Sequence, residues 1–155
     1  HFIYLTCSYP GVFTADHVSF HDGSGIDGLV HLAAISGLEP RLGLHVGVYL
    51  LALRHPMIAA RQIASLAEAV PGRLTVGVGV GGEDRHEIEV CEVDPATRGR
   101  RTDVELRLVR SLLDGDTVQV EANHDTLQFI RFQDRGYFYR TLNRYMEQNP
   151  AAGKH

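Results

Sequence analysis

His17 is the residue of this chain best suited to moving a proton. It follows Asp16 at the end of a short β-prone run, Val12 to Ala15. An imidazole titrates near neutrality, so it can take or give a proton at physiological pH. Asp16 is placed either to orient that ring or to bind a polar ligand atom, and a carboxylate in such a position also serves as a turn or helix cap. A second group of candidates lies further on. Gly77, Gly79, Gly81 and Gly82 end an apolar run and allow close backbone approach to a ligand. Glu83 follows them as a candidate general acid, because burial would raise the pKa of a carboxyl there. Glu87 competes with it for that role, and the other acids of the stretch read as a solvated face. Gly47, beside Val48, sits inside another β-prone run, where a glycine marks a bulge or a close ligand contact.

Other chemistries are disfavoured. The glycine spacing is G-x-G-x-G-G with no helix opening after it and no Gly-Lys-Ser/Thr, so it is neither a Rossmann fingerprint nor a Walker A loop. Nine histidines show no HExxH spacing, and Cys7 and Cys91 are too far apart in sequence to make a metal cluster or a disulfide framework. They read as reduced thiols of a cytoplasmic protein. The net charge of −4 argues against nucleic acid or an anionic membrane as partner, although 15 basic residues are present. Those basic residues are arginines except Lys154 and are spread along the chain. The cluster of Arg131, Arg135, Arg140 and Arg144 among Tyr137, Phe138, Tyr139 and Tyr145 reads as the solvated side of a helix. No apolar run approaches the roughly 20 residues of a membrane span, and the start of the chain lacks the basic region of a signal peptide.

The elements that must position these residues read clearly in the middle of the chain. Leu42 to Leu50 is an apolar, β-rich run. Arg54-His55-Pro56 follows as a strand-to-helix turn, with Pro56 suited to a first helical turn. Met57 to Ala69 has helical spacing, Pro71-Gly72 is a turn, and Leu74 to Val80 is a second strand. Strand, helix, strand in this order makes a parallel pair with a crossover, and in such folds ligands sit at the carboxyl ends of the strands. In the helix, Ile58, Ala59, Ile63 and Leu66 are predicted to face the sheet. Val76 and Val78 suit a strand covered on both faces.

Outside that unit, Phe2 to Cys7 reads as a buried strand. Ile26 to Ile35 reads as a helix with Ile26, Leu29, Val30, Ala33 and Ala34 on one face, stopped at Gly37. A short helical turn is predicted at Arg85 to Val90. A strong helix is predicted over Thr102 to Leu113, with a broad stripe that includes Val104, Leu106, Leu108, Val109, Leu112 and Leu113. Gly115 ends it. Thr117 to Glu121 and Thr126 to Ile130 form a hairpin by pattern around Asn123-His124-Asp125, and Tyr137 to Met146 reads as a last helix. One domain spans 1–155: a barrel-like core at 12–115, a hairpin and helix at 116–147, and a tail at 148–155.

Three pieces in order resemble the luciferase-like monooxygenase family, TIM-barrel oxidoreductases that use FMN or its deazaflavin analogue. They are A-D-H-V at Ala15 to Val18, V-G-V-Y-L-L-A-L-R-H-P at Val46 to Pro56 with the helix and glycine-ended strand after it, and R-G-R-R-T-D-V-E at Arg98 to Glu105. The resemblance covers 12–115. It implies a flavin-type oxidoreductase acting on a small molecule, by hydride transfer with a deazaflavin or by oxygen activation with reduced FMN from a separate reductase. It also implies that the cofactor's central ring lies over Gly47 and Val48 with an edge toward His17. On this reading His17 and Glu83 are catalytic, and Asp16, Gly47, Val48, Gly79, Gly81 and Gly82 bind the cofactor. The Arg54-His55-Pro56 form, with Ala15-Asp16-His17 before it, is more like the deazaflavin branch. No arginine stands in Gly79-Val80-Gly81-Gly82, where some FMN-using members hold the phosphate.

A full (β/α)8 barrel takes about 250 residues, so the expectation is an α/β fold that is a partial TIM barrel of about four βα units. Such a half-barrel exposes strand edges and apolar faces and would complete its core in a homo-oligomer or with another chain. That gives the alternative reading, a non-catalytic pairing module.

Overall fold

The computed structural model describes residues 11–81 and 84–118, and the backbone of 119–122 and 126–130. The expected first strand at Phe2 to Cys7, the turn at 123–125, the helix at 137–146 and the tail lie outside the described residues.

Three parallel strands form the sheet in the order β1 (Gly11–Thr14), β2 (Gly43–Tyr49), β3 (Leu74–Val78). Helix α1 (Gly28–Ser36) joins β1 to β2. A short 3-10 turn (Leu51–Leu53) and α2 (Pro56–Ala69) join β2 to β3. Then follow α3 (Arg85–Val90), α4 (Arg98–Asp114) and an antiparallel hairpin of β4 (Val118–Ala122) and β5 (Thr126–Ile130). This is the expected alternation of parallel strands and covering helices. The hairpin matches its pattern to within a residue.

Register explains which face is core. Val12, Leu44 and Leu74 lie side by side, as do Thr14, Val46 and Val76. These alternate positions look toward the helices, and Leu44 and Val46 are buried. Leu29 and Leu32 of α1, Ala59, Ala60 and Ile63 of α2, and Val109 and Leu112 of α4 close over them as one cluster. The other row is Phe13, His45 and Thr75. Phe13 is 66 % exposed there, so one sheet face is open. Val76 and Val78 are only half-buried, because the described sheet ends at β3 and only its helix side is packed.

The helices begin where local chemistry supplies a cap. Asp27 accepts from the backbone N–H of Leu29 and of Val30, both at 3.0 Å, and opens α1. His55 Nδ1 accepts from Met57 N–H at 3.2 Å, with Pro56 as the first helical residue, so the Arg-His-Pro turn is built as expected. Gly115 ends α4 at φ 85°, in the left-handed region that a side chain disfavours, and its N–H returns to Leu112 O.

Three expected helix faces are corrected. In α1 Val30, Ala33 and Ala34 are exposed, and the buried line is Gly28, Leu29 and Leu32. In α2 Ile58 is 58 % exposed, while Ala59, Ala60, Ile63 and Ala64 pack inward. Helix α4 begins four residues before its expected start. Its buried line is Thr102, Glu105, Val109 and Leu112, leaving Val104 and Leu106 outside. Each helix buries only a narrow stripe, and in α2 and α4 alanines and one threonine fill part of it.

The register makes opposite claims for neighbours on one sheet. Leu44→Ala, on the packed face, is expected to cost about 2–5 kcal/mol in chemical denaturation. Phe13→Ala, on the open face, is expected to cost less than about 1 kcal/mol. Equal losses would mean that the face assignment is wrong.

Candidate active site at the strand ends

The carboxyl ends of β1 and β2 are tied by one buried carboxylate. Asp16 is 1 % exposed, two residues past β1. Its Oδ1 accepts from Gly28 N–H at 2.9 Å and Arg54 Nη2 at 2.8 Å. Its Oδ2 accepts from Leu50 N–H at 2.8 Å and Arg54 Nη1 at 2.8 Å. The arginine is bidentate, reaches Asp27 Oδ2 at 3.3 Å, and stacks over the Tyr49 ring 4.5 Å from its centre. Burial acts to lower the Arg54 pKa, but Asp16, Tyr49 and Asp27 around it together outweigh that and raise it. Burial pushes the Tyr49 phenol up to about 12. Asp16 lines the cleft described below, yet its oxygens are filled by structural donors and none of these is the ring of His17.

The ring of His17 is held by another residue. Its Nδ1 lies 3.2 Å from Glu87 Oε2 on α3. The other oxygen of Glu87 accepts from the backbone N–H of Val18 and from that of Ser19, the latter at 3.2 Å. Phe20 packs on the imidazole with ring centres 3.9 Å apart. Asp84 adds a second tie: it caps α3 through His86 N–H at 2.9 Å and accepts from His21 N–H at 2.7 Å. Burial acts to raise the pKa of Asp84, but the backbone N–H groups of His21 and His86 win, and it lies below the ordinary carboxylate value.

These residues surround a cleft of about 390 Å³ lined by Ala15, Asp16, His17, Gly47, Val48, Leu50, Gly81, Asp84 and Glu87. The structure thus brings together five of the expected site residues: Asp16, His17, Gly47, Val48 and Gly81. Gly79 is adjacent. Its N–H donates to Tyr49 O at 3.1 Å, and a Cβ on it would meet Val48 Cγ2 at 2.3 Å. Gly82 and Glu83 lie outside the described residues. At Gly47 a Cβ would meet the Phe13 ring at 2.1 Å, so a side chain is barred there. The Gly47–Val48 peptide is cis, and the β2–β3 register shifts between Val46 and Tyr49. The irregularity expected of a glycine inside this strand is present.

Sequence reading missed Arg54 as the partner of Asp16, Asp84 as a tie, and Glu87 as the residue under His17. One signal was available. Asp84-Arg85-His86-Glu87 has the spacing of a helix capping box, which places a short helix here with Glu87 in its first turn. Among the described residues no group of three or more His, Cys, Asp or Glu could hold a metal, and no helix is long and apolar enough to cross a membrane.

Comparison with known proteins agrees with this fold. The family model described as luciferase-like monooxygenase matches residues 7–137. An uncharacterized protein of Mycobacterium tuberculosis is 35 % identical over 110 residues, which are 70 % of this chain and 37 % of that protein. An F420-dependent glucose-6-phosphate dehydrogenase of Nakamurella multipartita is 30 % identical over 133 residues, 82 % of this chain and 39 % of the relative. Among solved structures, monooxygenase RslO1 from Streptomyces bottropensis superposes with a TM-score of 0.67 at 28 % identity, over 78 % of this chain and 36 % of that one. The FMN complex of the oxygenating constituent of 3,6-diketocamphane monooxygenase from Pseudomonas putida shares the fold, with a TM-score of 0.68 at 16 % identity over 82 % of this chain and 34 % of that one. The chain therefore spans less than two fifths of the length of these relatives.

Two outcomes test the ties. Arg54→Leu strands the buried Asp16 charge and is expected to cost about 3–5 kcal/mol by thermal or chemical unfolding. Arg54→Lys should recover only part of this, since an ammonium cannot make the fork. The lowered pKa of Asp84 means that the folded state gains from its ionised form. That gain is complete above the ordinary carboxylate pKa of about 4 and is lost as pH falls below it. Asp84→Asn should flatten this acid limb in a stability-against-pH series. An unchanged limb would assign it to other carboxylates.

Proposed function

This chain belongs to the luciferase-like monooxygenase family, and we propose that its described part is the ring-binding side of a flavin-type oxidoreductase site. The observation that carries this is the cleft at the strand ends, with Gly47 and Val48 on its wall and His17 among its lining residues. Gly47 presents no side chain, and Val48 is apolar and 46 % exposed. A flat tricyclic ring fits such a surface. No lysine or arginine lines the cleft among the described residues, and Arg54 is occupied by Asp16. The cofactor's phosphate would therefore be held elsewhere.

Deazaflavin coenzyme or FMN would supply the redox step when bound, hydride transfer in the first case and oxygen activation in the second. The chain's own residues do the rest. The backbone at Gly47-Val48 supports the ring, with Gly79 and Gly81 keeping the neighbouring strand end low. His17 takes or gives the proton that accompanies the redox step. Helix α3 and the loop it holds shield the histidine's edge of the cleft from water. Glu83 stays the candidate general acid, with Gly82 beside it as a cofactor contact. Substrate is a small molecule, a flavin reductase would serve the FMN case, and the working form is a homo-oligomer.

A second reading is favoured by a specific observation. Phe13, Val48 and Val80, apolar residues in or just past the strands, are 66 %, 46 % and 44 % exposed. On this reading the chain is a half-barrel that pairs with another copy or chain and does no chemistry. Titration with FMN and with deazaflavin coenzyme, read by fluorescence with light scattering alongside, separates the two. The oxidoreductase reading expects saturable binding of one cofactor, weakened by His17→Ala. A dimer or larger assembly that binds neither would leave only the pairing module.

A further inference from the structure

A histidine that handles protons must present a defined nitrogen, and free imidazole does not fix which one. In this chain the choice is made by a neighbour on another element. Oε1 of Glu87 accepts from two backbone N–H groups, those of Val18 and Ser19. Backbone N–H groups can only donate, so they set the carboxylate's orientation whatever the histidine does. Oε2 is thereby pinned 3.2 Å from Nδ1 of His17. The imidazole is also confined by its contact with Phe20 and by its own backbone N–H, which donates to Ile26 O at 2.9 Å. The side chain of Glu87 is 4 % exposed and that of His17 is 24 % exposed, so water cannot easily replace either partner. A carboxylate has only acceptors. A bare Nδ1 facing Oε2 would set two lone pairs against each other.

We propose that Glu87 is a positioning residue that holds His17 with its proton on Nδ1, leaving Nε2 as a lone pair for the cleft. Orienting the ring, one of the roles open to Asp16 from the sequence, belongs to Glu87 instead. Among the described residues Nε2 has no hydrogen-bond partner. His17 therefore begins its cycle as a proton acceptor. The catalytic meaning of this rests on the cleft being the ring-binding site, while the tautomer is a property of the chain by itself.

The test is long-range 1H–15N correlation on the full chain with labelled histidine at neutral pH, with the His17 signals assigned by their loss in His17→Asn. Nδ1 is expected to be protonated and Nε2 bare. In Glu87→Gln the carboxamide oxygen can stay on Val18 and Ser19 while its NH2 faces the ring, so the proton should move to Nε2. A proton on Nε2 in the unsubstituted chain overturns the proposal, whether Nδ1 is bare or protonated. So does a tautomer unchanged by Glu87→Gln. Should that variant fail to fold, the spectrum of the unsubstituted chain decides alone. Cofactor titration is independent of this readout, so loss of the flavin reading and loss of the tautomer assignment are distinguishable.

Discussion

The buried pair of Asp16 and Arg54 is the constraint on which the strand ends depend. Removing a carboxylate and a guanidinium from water costs several kcal/mol per ion, and the cost is met only when geometry and extra hydrogen bonds are good. Here both oxygens of Asp16 are filled by four donors from three places in the chain: the start of α1, the end of β2 and the turn into α2. The same arginine accounts for the stacked face of Tyr49 and part of the charge on Asp27. These bonds tie the exit of β1 to the end of β2 just past Gly47. The cleft has its walls because this ion pair has its partners.

Much of the fold was legible because parallel βα units advertise themselves. Leu42 to Leu50 and Leu74 to Val80 are short apolar runs carrying valines and glycines, and Pro56 and Gly72 punctuate what lies between. Faces were less legible. An apolar residue such as Ile58 or Val104 counts toward a stripe by spacing, but among the described residues the sheet is three strands wide and its helices have little to cover. The four arginine-rich residues before Thr102 hid the start of α4, because a basic first turn opposes the helix dipole. Asp94 and Thr97 make the turn that starts it regardless.

Site legibility divided along similar lines. The glycines on the cleft wall, Gly47 and Gly81, could be read from the strand pattern alone. Asp16 and His17 were found as candidates, but adjacency left open whether Asp16 oriented the ring, bound a ligand atom or tied the backbone, and it ties the backbone. In an extended segment adjacent side chains point to opposite sides. Asp16 turns into the protein and His17 toward the cleft, and each finds its partner far along the chain. The luciferase-like resemblance gave the family and the fold correctly, yet could not tell which carboxylate of the acidic loop touches the histidine.

Those distant partners bear on the order of assembly. The hydrogen bonds that seat the loop of His17 to His21 on α3 join residues 63 to 70 apart in sequence. Closing so long a loop is entropically unfavourable until the intervening β2, α2 and β3 are already in place. The sheet can therefore form while the histidine is still unseated. The orientation of His17 thus depends on a helix of six residues that comes after all three strands of the sheet in the chain.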